Sequence, residues 1–380
     1  MEISPNPPEF VPPPLPLPPV IVPAPAPRPR KSRGWMIATI ILCVLLMFSL
    51  FAILTLLVAQ SFSFQRAFHT EALGSGREIG PKLEECVLEN NKSPDKIAVV
   101  TVDGLITSHE ANEAGNNMVD VIKAQLDRAA DDRRVKAVIL KVDSPGGEVL
   151  ASDEIYQDIR KFQEDSKKPV ICSMGSLAAS GGYYISSGCR WIVANELTLT
   201  GSIGVIMHGW NYRGLMDKVG LAPMTYKSGK FKDMLSGERE TNEIPPEEHA
   251  MVQGLIDDTY DKFKDVVAAG RDAAHELNKK EGKALADNWE DFADGRVVSG
   301  KEALEHGFVD ELGDFDDAVD RAQKIAHVTD ASLIEYRERY DISNFLSMFG
   351  QSSQSHDIKL QLGADVPKLH AGYLYFLYEP

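Results

Sequence analysis

The chain has 380 residues, a quarter of them charged, and a formal net charge of −16 at pH 7. Residues 1–34 hold four basic and two acidic groups, so the remainder carries −18, which excludes nucleic acid and broad docking on anionic lipid. The four cysteines, Cys43, Cys86, Cys172 and Cys189, make no CxxC pair and no metal-ligand spacing, so no metal is expected.

Thirteen of the 22 prolines fall in residues 1–34, which predicts an extended, polyproline-like tail. Trp35 to Ala59 follows without one charged residue, longer than the roughly 20 apolar residues that cross a bilayer. It is too long for the core of a cleavable signal peptide and lacks a clean small-x-small exit, so an uncleaved anchor is expected. Arg28, Arg30, Lys31 and Arg33 precede this span, and only Arg66 lies close behind it. The positive-inside rule then leaves residues 1–34 in the cytoplasm and exports the rest. Residues 60–95 read as a polar juxtamembrane spacer. An exported domain permits one disulfide among Cys86, Cys172 and Cys189, although Cys172, after Val170 and Ile171, reads as a buried free thiol.

From residue 96 strands and helices alternate. KIAVVTVDGLIT (96–107) reads as a strand with a glycine turn inside it. Val119, Ile122, Leu126 and Ala129 recur at helical spacing over 118–132. VKAVILKVDSPGGEV (135–149) is a continuous apolar run ended by Pro-Gly-Gly, the pattern of a buried parallel strand. LASDEIYQDIRKFQEDS reads as a helix and PVICSMG as a strand, with AASGGYYISSG entering another helix. WIVANELTLTGSIGVIM gives two short strands around a Thr-Gly-Ser corner. A proline-started helical block follows from 245, then a helical return over 301–326 broken at a glycine. Such alternation predicts an α/β domain with a mainly parallel sheet over 96–328. Order becomes doubtful over 329–380, which ends in the aromatic-rich GYLYFLYEP.

In such sheets function collects at the carboxyl ends of the strands. Three glycine-bearing corners occupy predicted strand ends: SPGG (144–147), SLAASGG (176–182) and LTGSIG (199–204). Among the five serines of 173–188, only Ser180 has small residues on both sides and a predicted helix start. There a nucleophile gains from free backbone N–H groups as negative charge develops. Close helix–sheet packing would use the same Ala-Ser-Gly-Gly. The PGG corner can turn an N–H toward a reacting carbonyl, or merely end a strand. For the base, His208 lies near these corners but has no evident Asp partner. Lys227, Lys230 and Lys232 are the other candidates, since a lysine acts as a base when burial removes its charge.

Taken together, VILKVDSPGGEV, SMGSLAASGGYYI, LTGSIGVI, YKSGKFKDMLS and DGRVVSGKEALEHGFVDELG resemble the short, membrane-anchored form of bacterial signal peptide peptidase A. The resemblance covers about residues 96–325. It implies a Clp protease/crotonase-like α/β core and a Ser–Lys peptidase that needs no cofactor. Ser180 matches the family's nucleophile, Lys232 its general base and Ser202 the serine that orients the lysine. Gly147 matches the backbone donor of the oxyanion hole, with Gly181 as a second donor. It also implies a homo-oligomeric ring whose sites combine Ser and Lys from neighbouring subunits, acting on signal-peptide remnants and unfolded exported chains. The proline-rich tail departs from the family, and GYLYFLYEP is a candidate for docking in a groove. Rival readings are a Ser–Lys peptidase for stomatin-type membrane-protein tails, crotonase-type acyl-CoA chemistry, and a non-catalytic membrane scaffold.

Overall fold

The structure, a computed structural model, describes residues 42, 45–47, 80–109, 112, 115–339 and 374–378. The chain divides into two units, Met1–Glu78 and Ile79–Pro380. Of the first, residues 42 and 45–47 are helical and exposed. The remainder of the expected anchor over 35–59, and the tail over 1–34, lie outside the described residues. Among the described residues no helix is long and apolar enough to cross a membrane.

The second unit is built on a sheet of nine strands. Strands β1 (Leu83–Glu89), β2 (Lys96–Asp103), β3 (Val135–Ser144), β5 (Val170–Ala179), β6 (Trp191–Ala194), β9 (Glu311–Leu312) and β10 (Ser332–Glu338) run in the order β1-β10-β2-β3-β5-β6-β9. All neighbours are parallel except β1 on β10. Strand β7 (Leu199–Gly201) pairs parallel to the end of β5, and β8 (Val297–Ser299) runs antiparallel beside it. A separate short strand, β4 (Gly146–Glu148), follows β3 directly.

The apolar run over 135–144 has no polar face because both sides of β3 are covered. Val138, Leu140 and Val142 point to one core, shared with helices α1 (Met118–Asp131), α2 (Val149–Ser166), α3 (Gly181–Ser186) and α5 (Pro246–Leu277). Ala137 and Ile139 point to the other, where α7 (Phe315–Ala326) seats Ala318 and Ala322. The side-chain period of two along a strand produces this split. In chain order, α4 (Arg213–Lys218) precedes α5 and α6 (Gly300–Glu305) precedes α7.

Two stretches depart from the expectation. Residues 83–89, within the supposed spacer, form edge strand β1, and 332–338 form β10 beside it. LEECVLE carries three acidic residues and is mostly exposed, so its strand character comes from pairing rather than from a buried face. The helical return over 301–326 is two helices with β9 between them. Cys86, Cys172 and Cys189 are free, and burial pushes the Cys189 thiol up.

Helix α5 is fastened to the sheet by a buried ion pair. Arg271 and Asp310 are 1% and 9% exposed, and Arg271 Nη2 donates to Asp310 Oδ1 at 2.5 Å. Asp310 also accepts from the Ile192 and Lys283 N–H groups, at 2.9 and 3.2 Å. Asp310→Ala leaves a guanidinium buried without its counter-charge and should lower stability by about 3–5 kcal/mol. Urea unfolding followed by circular dichroism checks this; an unchanged midpoint would show that the pair holds nothing.

Candidate active site

β3, β5 and β7 are parallel, so the three glycine corners expected from the sequence emerge at the same end of the sheet. Ser180 is the residue at which β5 gives way to α3, and it sits at φ 54°, ψ −117°. A non-glycine residue in that region costs about 1–3 kcal/mol, so neighbours must hold it there. On one side its N–H donates to Gly201 O at 2.8 Å; on the other, Tyr184 N–H donates to its carbonyl at 2.8 Å. Small neighbours let the corner close. A Cβ at position 181 would come 2.6 Å from Ser152 Oγ and 3.1 Å from Gly147 N. Ser180 is 1% exposed, and its Oγ has no hydrogen-bond partner among the described residues. A buried hydroxyl without a partner is costly and calls for a reason.

The PGG corner lies against this turn. Ser144 Oγ donates to Gly104 O at 2.6 Å and accepts from Gly146 N–H at 3.0 Å, which shapes the bend into β4. β4 is then pinned by the loop over 104–109. Ile106 N–H donates to Gly146 O, and Glu148 N–H donates to Ile106 O, both at 2.8 Å. The approach is so close that a Cβ at Gly147 would lie 1.9 Å from Ile106 O. The buried Glu148 carboxylate adds a second tie. It accepts from Thr107 Oγ1 at 2.9 Å, Ser108 N–H at 3.1 Å and Ser108 Oγ at 3.0 Å, and His109 Nδ1 lies at 2.9 Å. Burial opposes its ionisation, but these contacts outweigh that and hold the Glu148 carboxyl below its ordinary range. Sequence inspection missed this clamp, since EV after PGG reads only as the end of the strand run and its corner.

An extended segment fills the groove in front of both corners. Strand β11 (Tyr375–Leu377), from the aromatic C-terminal stretch, runs antiparallel along β4, with Phe376 opposite Gly147. Val149 N–H donates to Leu374 O at 3.2 Å and Tyr378 N–H to Pro145 O at 2.8 Å. The alternation of an antiparallel ladder makes Gly147 and Phe376 the mutually hydrogen-bonded pair between them, so Gly147 N–H faces the Phe376 carbonyl. Gly181 N borders the same oxygen: a Cβ built at Gly146 would lie 2.0 Å from Phe376 O and 2.5 Å from Gly181 N. On its other edge Tyr375 exchanges hydrogen bonds with Ile206, at 3.0 and 3.1 Å. The Phe376 side chain is fully buried.

Ser202 follows β7 at φ 50°, 6% exposed, with its N–H donating to Arg296 O at 2.8 Å. Because Ala179 pairs with Gly201, Ser180 and Ser202 leave adjacent strands at one level. Ser202 lines a cleft of about 860 Å3, together with Ile206, Tyr260, Leu377 and His208, the histidine weighed as a base. Ser180, Gly181, Gly147 and Ser202 are thus brought together. Lys232 is not. It is exposed, in the stretch after α4, and neither Ser180 nor Ser202 bonds to it among the described residues. Lys227, also a candidate, is bound to Asp233 at 2.6 Å, and Lys230 lies 3.7 Å from Glu247.

A strained, buried serine beside two backbone N–H groups and the carbonyl of an extended strand is the arrangement of a serine hydrolase that acts on peptides. Comparison with known proteins agrees. Residues 162–329 match the model of peptidase family S49. The chain is 38% identical over 269 residues to the "Putative signal peptide peptidase SppA" of Enterococcus faecium, covering 70% of this chain and 73% of that one. It is 42% identical over 231 residues to the "Putative protease slr0021" of Synechocystis, covering 61% and 74%. With the "Serine protease SPPA, chloroplastic" of Arabidopsis thaliana it shares 31% over 265 residues, covering 68% and 37%. The chain belongs to peptidase family S49 and is a serine protease.

Proposed function

We propose that this protein is a membrane-anchored endopeptidase that hydrolyses signal-peptide remnants and unfolded exported chains, with Ser180 as nucleophile and Lys232 as general base. The observation that carries the reading is the extended segment 374–378, whose Phe376 carbonyl lies against the N–H groups of Gly147 and Gly181, next to Ser180. A substrate entering by the same strand addition brings its own carbonyl to that point.

The neutral Lys232 amine takes the Ser180 proton as Oγ bonds to the carbonyl carbon. The oxyanion is stabilised by Gly147 and Gly181 N–H, which need no reorganisation as charge develops. The lysine ammonium returns its proton to the departing amine, and water hydrolyses the resulting ester with the same base. Ser202, one position beyond the β5–β7 pairing, orients the amine.

Lys232 reaches a serine from a neighbouring subunit. Supporting this, the stretch that carries it is apolar yet uncovered within one chain: Trp210, Met224 and Tyr226 are 86%, 78% and 88% exposed. Faces of that kind are covered by a partner, and a ring of identical subunits covers each in turn. Residues 35–59 anchor the ring, with residues 1–34 cytoplasmic and the peptidase domain, which strands β1 and β10 extend beyond 96–328, on the outer side of the inner membrane.

Incubating the full chain in detergent with a peptidyl diphenyl phosphonate tests the nucleophile. Attack by Ser180 Oγ expels phenoxide and leaves a phosphonylated serine. Mass spectrometry of the digest is expected to find the adduct on the peptide containing Ser180 and none in Ser180→Ala. An adduct confined to another serine would sink the assignment.

A further inference from the structure

The groove does more than fix a backbone. The residue whose carbonyl stands at Gly147 is Phe376, and its ring lies in a box of aromatic side chains. It stacks on Tyr184 with ring centroids 4.8 Å apart and planes 23° apart, and it meets Phe263 at 4.6 Å and 51°. Tyr184 and Phe263 also touch each other, edge to face at 4.9 Å. Tyr156 closes the outer side of Tyr184 at 5.5 Å. Such contacts favour the bound ring beyond its area burial, and only when the partner ring is present.

The walls are rigid. Tyr184 belongs to α3, one turn after Ser180, and its hydroxyl donates to Asp153 Oδ1 at 2.6 Å. That bond fixes the ring and satisfies its hydroxyl. Phe263 is fully buried on α5. A box held from two helices cannot collapse onto a smaller side chain, so a small residue leaves part of it empty. Neither ring offers a charge to pair with a charged side chain. In an extended strand alternate residues face opposite sides, so the side chain entering the box is that of the residue bearing the carbonyl, and its neighbours Tyr375 and Leu377 point elsewhere.

We infer that the site selects a large aromatic side chain, phenylalanine above all, on the residue whose carbonyl Ser180 attacks, and that Phe263 and Tyr184 are the residues that read it. This rests on the peptidase reading and adds its substrate class: bonds following an aromatic residue in an apolar, extended segment. The chain's own Phe376 is the model occupant.

Internal competition tests it with the full chain in detergent. Two extended peptides that differ only in Phe or Ala before the scissile bond are mixed in one tube, and their disappearance is followed by mass spectrometry. Residues 374–378 compete with both peptides equally, so the ratio of rates is free of their effect. The Phe peptide should be consumed roughly 10- to 100-fold faster, the range a hydrophobic pocket can discriminate. Phe263→Ala should cut that ratio to a few-fold. Because Phe263 is a core residue, Phe263→Trp is the second variant: it fills the box and should reverse the preference toward Ala. Consumption of the two peptides within about twofold by the unaltered chain, or an unchanged ratio in a folded Phe263 variant, would overturn the inference and leave the peptidase reading standing. Consumption of neither peptide overturns the peptidase reading itself, and the inference with it.

Discussion

Ser180→Ala should lower peptide hydrolysis by about three to six orders of magnitude while leaving the fold intact. The size of the loss follows from the role: without Oγ no ester forms, and only binding and the two backbone N–H groups of Gly147 and Gly181 still favour the reaction. Preservation of the fold follows from the geometry. Ser180 Oγ makes no hydrogen bond among the described residues, so its removal breaks none and deletes a buried, unsatisfied group. The backbone at φ 54° strains alanine about as much as serine, and the bonds that hold it, to Gly201 O and from Tyr184 N–H, involve main chain alone. The urea midpoint is therefore expected to match that of the unaltered chain or to lie slightly above it. A variant that keeps a tenth of the activity would remove Ser180 from the mechanism. One that loses activity and stability together would make the corner structural.

Much of this corner is legible in the sequence, because each part has a local cause. An apolar run ended by Pro-Gly-Gly implies a buried strand and a tight bend, and the structure has β3, the Ser144 turn and β4. Small residues on both sides of Ser180 imply close approach, and Gly181 indeed lies where a Cβ would strike Ser152 and Gly147. What escaped detection depends on partners remote in sequence. LEECVLE becomes a strand only because β10 lies beside it, and β10 only because β2 does. Phe263 reads as one more core residue of an amphipathic helix; its place beside Phe376 is fixed by chain folding over more than a hundred residues. The docking of the C-terminal stretch was a bare candidate, since nothing in its composition specifies the β4 edge. Glu148, between PGG and a helix, carries no sign of the four contacts that hold it.

Lys232→Ala should be as inactive as Ser180→Ala, and mixing the two inactive proteins should restore activity. In the single chain Lys232 is exposed and makes no bond to Ser180, while the segment around it presents Trp210, Met224 and Tyr226 to solvent. Two accounts fit an essential lysine there: it swings onto its own serine, or it serves the serine of the next subunit. They differ on mixing. If each site takes serine from one subunit and lysine from its neighbour, a Lys232→Ala subunit beside a Ser180→Ala subunit makes one intact site. Random assembly from equal amounts then yields about a quarter of the unaltered activity. If the lysine acts within its own chain, every subunit is defective and mixing restores nothing. Co-expression of the two variants ensures that they assemble together, and light scattering confirms that the assemblies match in size. Recovery near a quarter makes the site a property of the assembly. It also explains why Ser180 Oγ has no hydrogen-bond partner among the described residues: the group that would accept its proton belongs to another chain. No recovery from mixed assemblies of the right size would return Lys232 to its own chain. Full activity in Lys232→Ala alone would dismiss it as the base.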